Sequence, residues 1–194
     1  MNPHVPRRSA RPDHIPPRSA RPGHPLSAHI ASVLAIDPDA GAIDFGGSWT
    51  SWGQLGTLAR SVADLVGRLN PEPTPRAGIL LRNTPEHVAA FLGVLLAGGT
   101  VVVINPPRGD ERTRDDIAAL ALPVVIGPGP DLNKLVAGSA STSVVRLDAI
   151  PAEPEVIAEA TEKPSAKPTS EDAPSPVAVH MLTSGTTGPP KRVE

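Results

Sequence analysis

Apolar positions along this chain follow two rhythms that alternate. Leu55, Leu58, Ala59, Val62, Leu65, Val66 and Leu69 recur at intervals of three and four. That period of 3.6 predicts a helix opened by Ser51 with one stripe against a core. Residues 77–81 and 100–104 are continuous apolar runs too short for helices, as strands buried on both faces would be. Between them, Thr84-Pro85-Glu86 reads as N-cap, first-turn proline and first-turn acid. The helix it opens is predicted to bury Val88, Phe91, Leu92, Leu95 and Leu96 and to stop at Gly98-Gly99. Thr113, with Asp115 and Asp116, starts another helix with Ile117, Leu120 and Ala121 inward, and residues 123–126 form a third strand. Strand, helix, strand, helix, strand predicts an α/β fold: a partial doubly wound, mostly parallel sheet with flanking helices. A weaker helix over 131–137 and a strand over 143–147 continue the alternation. Upstream, Ser27 caps a helix carrying Leu26, Ile30, Val33 and Leu34 that ends at Asp37-Pro38. Residues 42–45 and 48–50 form a hairpin about Gly46-Gly47.

Outside this 26–150 α/β core the pattern fails. Residues 1–25 hold seven prolines, and the run from Arg8 to His14 recurs ten residues later from Arg18 to His24 with one change. Prolines at that density forbid a sustained helix or ladder, so the segment reads as a disordered Pro/Arg-rich arm. Five arginines against Asp13 suit an anchor for acidic surfaces, and a dispensable tail explains the same residues without any partner. Residues 151–176 carry six prolines and six acids against Lys163 and Lys167, which reads as an acidic Pro-rich linker or loop. Residues 177–194 are a strand followed by a loop.

Composition narrows the function classes. The 194 residues include 18 basic and 20 acidic side chains, a net charge of −2, and phosphate-backbone binders need a clear excess of Lys and Arg. Nucleic acid is therefore not an expected partner. With no cysteine, disulfides, thiolate metal sites and cysteine nucleophiles are excluded together. The apolar stretch over 91–104 is broken by glycines and shorter than the roughly 20 residues a membrane span requires. No apolar leader follows the amino-terminal arginines, so the cytoplasm is the default location. His180 and His87 each lack a paired carboxylate in sequence. His180 reads as a strand residue at a sheet edge or facing solvent, and His87, on a first helical turn, as solvated. No catalytic residue and no metal ligand is assigned.

Chemistry concentrates at the end of the chain. An apolar strand over 176–182 runs into Thr183-Ser184-Gly185-Thr186-Thr187-Gly188-Pro189-Pro190-Lys191. Gly185 and Gly188 permit positive φ and close backbone approach, Thr183, Ser184, Thr186 and Thr187 offer hydroxyl donors, and Lys191 supplies a point charge. Those are the requirements of a polyphosphate. The spacing is not that of the P-loop NTPases, which place Lys directly after Gly and open a helix there.

This run closely resembles the phosphate loop of the adenylate-forming enzymes: acyl-CoA synthetases, aryl-CoA ligases, the adenylation domains of nonribosomal peptide synthesis, and luciferases. Trp49-Thr50-Ser51-Trp52-x-x-Leu55, the strand that ends in Asn83, and Gly98-Gly99-Thr100 through Asn105-Pro106 are similar to further stretches of that family, so the resemblance spans about residues 26–194. It implies an AMP-forming acid–thiol ligase, such as the acyl-CoA synthetases of fatty acid metabolism. ATP with Mg²⁺ converts a small carboxylic acid to an acyl-adenylate, and coenzyme A is the expected thiol acceptor. It assigns ATP phosphate binding to Thr183, Ser184, Gly185, Thr186, Thr187, Gly188 and Lys191. Two positions depart from the family's pattern: Arg192 replaces a glycine, as a second cation or as a group that crowds the loop's exit, and His180 stands in a strand position usually apolar or aromatic. The family's adenine, acyl and ribose motifs follow the phosphate loop, so the chain reads as the amino-terminal portion of such a ligase, inactive alone. The alternatives are a non-catalytic remnant, a weak anion-binding module, or the start of a peptide-synthesis adenylation domain. With nothing after it to pair, the loop is expected to hang from one strand only.

Overall fold

Helix α1 (Pro25–Leu34) begins two residues before Ser27, so Ser27 is not its cap; the buried hydroxyl instead donates to the Leu95 carbonyl at 2.6 Å. The computed structural model describes residues 25–105, 109–136, 138–163, 177–183 and 191–193. Strands β1 (Gly41–Phe45) and β2 (Ser48–Ser51) form the expected antiparallel hairpin. Gly46 at φ 61° and Gly47 at φ 80° are both in the left-handed region that a two-residue hairpin turn of this hand demands. Ser51 then caps α2 (Trp52–Leu69) through a capping box: the Gln54 N–H donates to Ser51 Oγ at 3.2 Å and the Ser51 N–H to Gln54 Oε1 at 2.8 Å. Six of the seven stripe residues, Leu55 to Val66, are buried, and Leu69 is half-buried.

The alternation that follows is β3 (Arg76–Leu80), α3 (Pro85–Leu96), β4 (Thr100–Ile104), α4 (Asp110–Leu120), β5 (Val124–Gly127), α5 (Gly129–Leu135) and β6 (Ser143–Arg146). It is followed by β7 (Glu155–Ala158), β8 (Val179–Thr183) and β9 (Lys191–Val193). The sheet runs β7-β6-β5-β3-β4-β8-β9. Its five central strands are parallel, and β7 and β9 are antiparallel at the two edges. This is the expected α/β class, a mostly parallel sheet covered on both faces. One face carries α1, α2 and α3 over Ala77, Ile79, Val101, Val124 and Ile126. The other carries α4 and α5 over Leu80, Val102, Ile104, Val125 and Val144.

Three expectations need correction. In α3 the buried positions are Pro85, His87, Ala89, Ala90, Gly93, Val94 and Leu95, so Leu95 is buried as expected, whereas Val88 is 39% exposed and Phe91, Leu92 and Leu96 are half-buried. The cause is close helix approach: a Cβ at Gly93 would sit 2.6 Å from Val62 Cβ and 2.7 Å from the Ala59 carbonyl, so the seam with α2 selects small side chains over large ones. Helix α4 starts at Asp110, not Thr113, with Gly109 at φ 98° before it. Asp110 and Glu111 complement its N-terminus, and the Thr113 hydroxyl donates back to the Gly109 carbonyl at 2.7 Å. Within the acidic segment expected as linker or loop, Glu155–Ala158 forms edge strand β7, because Val156 packs on the core and Arg146 pairs with Glu155. Residues 1–24 of the arm and 164–176 of the acidic segment lie outside the described residues.

Candidate phosphate site at the carboxyl edge of the sheet

Strand β8 is fixed against β4 before it reaches the loop. Val101, Val102 and Val103 stand opposite Val179, His180 and Met181. The Thr100 hydroxyl donates to the Val177 carbonyl at 2.7 Å and the Val101 N–H to the Ala178 carbonyl at 2.9 Å. Strand β9 then returns antiparallel, with Val193, Arg192 and Lys191 opposite Met181, Leu182 and Thr183. The expectation of a loop hanging from one strand is therefore wrong. Lys191 and the two residues that follow it suffice to close a ladder, and Thr183 and Lys191, the two ends of the run, become neighbours. Arg192 is the middle residue of that returning strand. Ser184, Gly185, Thr186, Thr187 and Gly188 lie outside the described residues.

The loop leaves the sheet at a place the topology singles out. From β4 the chain crosses to β5 on one side, and from β8 it turns to β9 on the other, so the connections diverge between these neighbours. In open α/β sheets ligands bind outside the carboxyl ends of strands at such a divergence. Two residues beyond the Val103–Met181 pair, β4 leads to exposed Asn105 and β8 to Thr183.

A second divergence lies between β3, whose chain leaves through α3, and β5, whose chain leaves through α5. Here the chain fills the crevice itself. Arg82 makes a two-pronged pair with Asp131, Nε to Oδ2 and Nη2 to Oδ1, both at 2.9 Å. The Asp131 side chain is only 17% exposed. Beside it the Gly129 N–H donates to Asp148 Oδ1 at 2.7 Å, and Arg146 pairs with both Asp148 and Glu155. The Arg82 N–H donates to His87 Nδ1 at 2.8 Å. His87 is 1% exposed, not solvated as its place on a first helical turn suggested. Burial disfavours its charged form and lowers its pKa below the ordinary histidine value, against the opposing pull of Glu86. None of Arg82, Asp131 and His87 stands out in sequence as a member of a site: Arg82 and Asp131 are 49 residues apart, and no local pattern joins them.

His180 is half-buried in β8. Among the described residues no three His, Asp or Glu side chains converge as metal ligands do, and no helix is long and apolar enough to cross a membrane. A cavity of about 650 Å³ lined by Asn70, Arg76, Pro123 and Thr161 opens at the amino ends of the strands, away from both crevices.

The chain is similar to known proteins in sequence and in fold. The family model described as AMP-binding enzyme matches residues 31–194. Syringomycin synthase SyrB1 of Pseudomonas syringae is 29% identical over 160 residues, 81% of this chain and 24% of that protein. The medium/long-chain-fatty-acid–CoA ligase FadD17 of Mycobacterium marinum is 34% identical over 158 residues, 78% of this chain and 29% of that one. The solved structure of ATP-bound MatB from Rhodopseudomonas palustris superposes with a TM-score of 0.63 at 21% identity, over 85% of this chain and 34% of the other. The chain thus spans a quarter to a third of the length of these three proteins.

Proposed function

Because the chain belongs to the AMP-binding enzyme family, we propose that its β8–β9 hairpin grips the triphosphate of ATP while a carboxylic acid is activated to an acyl-adenylate, which then passes to a thiol. The observation that carries this reading is the hairpin: Thr183 and Lys191 face each other across the ladder, at a divergence of the sheet, with the Gly- and hydroxyl-rich run between them. Attack of the carboxylate on the α-phosphorus breaks its bond to the bridging oxygen, and pyrophosphate leaves. The hydroxyls and amides of Thr183, Ser184, Gly185, Thr186, Thr187 and Gly188, with the Lys191 ammonium, would stabilise the charge developing on that leaving group. Mg²⁺ enters only as a companion of the triphosphate, where it neutralises phosphate charge, and no step is assigned to a protein-held ion. Coenzyme A is the favoured acceptor, as FadD17's name states for that ligase. A carrier-bound thiol is the second reading, favoured by the similarity to syringomycin synthase SyrB1. A cytoplasmic location fits either.

The test is carboxylate-dependent exchange of labelled pyrophosphate into ATP by the whole protein that carries this segment, over a panel of fatty, aryl and amino acids. Exchange with one class assigns the substrate. Absence of exchange with every acid, in protein shown to be folded, overturns the reading in favour of a non-catalytic anion-binding role.

A further inference from the structure

The β3–β5 crevice is fastened by a group whose hydrogen-bonding sense depends on a proton. His87 Nδ1 lies 2.8 Å from the Arg82 amide nitrogen and 3.3 Å from the Arg82 carbonyl oxygen. One ring nitrogen is thus within reach of a donor and an acceptor on the same residue, and it can serve only one at a time. Accepting from the amide requires a bare Nδ1, which places the proton of the neutral ring on Nε2. That atom is buried and has no hydrogen-bond partner, and Thr84 Oγ1, three residues before it in sequence, is in the same condition.

We propose that His87 is a proton-operated clasp on the β3–β5 crevice: neutral, its Nδ1 holds the Arg82 N–H, and protonated, the same nitrogen becomes a donor toward the Arg82 carbonyl and releases the amide. The exchange balances. One proton is taken from water, one N–H···N bond is lost, and one N–H···O bond is gained. What changes is the Arg82 backbone, and Arg82 also carries the fork on Asp131. The charged groups acting on the ring are Glu86 on its own helix, Arg82 on the turn and Asp131 on α5. The two carboxylates attract the added charge, and Arg82 repels it. Acid thus unpins the turn that closes this crevice, while the Leu81 N–H, bonded at 3.0 Å to the Ile104 carbonyl, keeps β3 in the sheet. The clasp does not depend on the role proposed for the phosphate loop.

Amide hydrogen exchange on the full 194-residue chain tests it, read at Arg82 with Leu81 as internal reference. Between about pH 7.5 and about pH 4.5, a window carried below the ordinary histidine range because burial lowers this pKa, Arg82 is expected to lose about tenfold in protection relative to Leu81 once intrinsic rates are removed. His87→Asn keeps an acceptor near the place of Nδ1 but cannot take the proton, so Arg82 should stay protected at both values. His87→Phe should lose that protection at both. Where the Phe variant does not fold, nitrogen-15 histidine spectra of the unaltered chain decide: the clasp requires a bare Nδ1 and a protonated Nε2 at neutral pH. A proton on Nδ1 there, or Arg82 protection that does not move with pH, overturns the proposal.

Discussion

Of the two crevices along the carboxyl edge of the sheet, the one between β3 and β5 is closed by the chain's own charges. The one between β4 and β8 is framed by a hairpin whose tip is the Gly- and hydroxyl-rich run. Topology makes them equivalent, since the outgoing connections diverge at both. Residue chemistry separates them. At β3–β5 an anion would have to displace Asp131 from a two-pronged guanidinium pair, and a cation would have to displace Arg82. At β4–β8 the residue that follows β4 is Asn105, neutral and exposed, and no ion pair closes the crevice among the described residues. A divergence thus offers a place for a ligand without guaranteeing one, and the charges already there decide whether it is free.

The hardest test of this contrast is Lys191→Ala. If the β8–β9 hairpin grips the leaving pyrophosphate, losing that cation should lower pyrophosphate exchange by about 10²–10³-fold, the cost of removing one transition-state donor. The thermal midpoint should hardly move, since alanine keeps the backbone ladder of this three-residue edge strand. Equal loss of activity and of stability would mean that the lysine holds the fold instead.

Asp131→Ala should show the reverse. It strands Arg82, whose side chain is 40% exposed, so the cost is that of a partly solvated pair, about 1–2 kcal/mol in chemical denaturation. Exchange activity should stay within about threefold. A large selective loss of activity would show that the β3–β5 crevice takes part in the reaction and would end the contrast.

How much of this is readable in the sequence follows from where the determining contacts lie. The helix start at Ser51, the Gly46-Gly47 turn and the stripe of α2 are local, each set by residues within a turn or two, and all three stand as the sequence suggests. The run over 183–191 stands out in the sequence because the chemistry proposed for it is suggested by its composition alone. The face of α3 is misleading since a hydrophobic pattern weighs size, whereas the seam with α2 rewards the lack of it at Gly93. His87 misleads for a similar reason: nothing near it in sequence tells that Arg82, five residues earlier, turns its amide back onto the ring. Strand β9 escapes notice because three residues carry no periodicity; only pairing with β8 defines them.

The pH dependence of global stability gives a smaller effect, localised to the closed crevice. The His87 pKa is lowered in the folded chain, so between that value and about 6.5, where an unfolded histidine titrates, the unfolded state binds more protons. Its contribution to stability is therefore complete above about pH 6.5, falls as pH drops through that point toward the folded value, and levels off below it. The limiting slope is about 1.4 kcal/mol per pH unit for one proton. Subtracting the denaturation curve of His87→Asn isolates this term from the carboxylates. A difference that shrinks with rising pH would reverse the assigned sign.

The smallest expected effect concerns two helix caps, one remote from both crevices and one beside the closed one. Ser51 and Thr84 occupy the same position before α2 and α3, and both have extended backbone there. Ser51 accepts from the Gln54 N–H, so Ser51→Ala should cost about 1 kcal/mol. Thr84 makes no side-chain cap bond, and its buried Oγ1 has no partner. Pro85 already removes one amide of the first turn that would need an acceptor. Thr84→Val keeps the shape and deletes a hydroxyl that gave up water and gained nothing, so stability should hold or rise by up to about 1 kcal/mol. If Thr84→Val instead costs as much as Ser51→Ala, the hydroxyl has a partner in solution, and Nε2 of His87 is a candidate for it. The crevice would then be fastened by a connected network of turn, cap and ring instead of by the separate contacts of Arg82 with His87 and with Asp131.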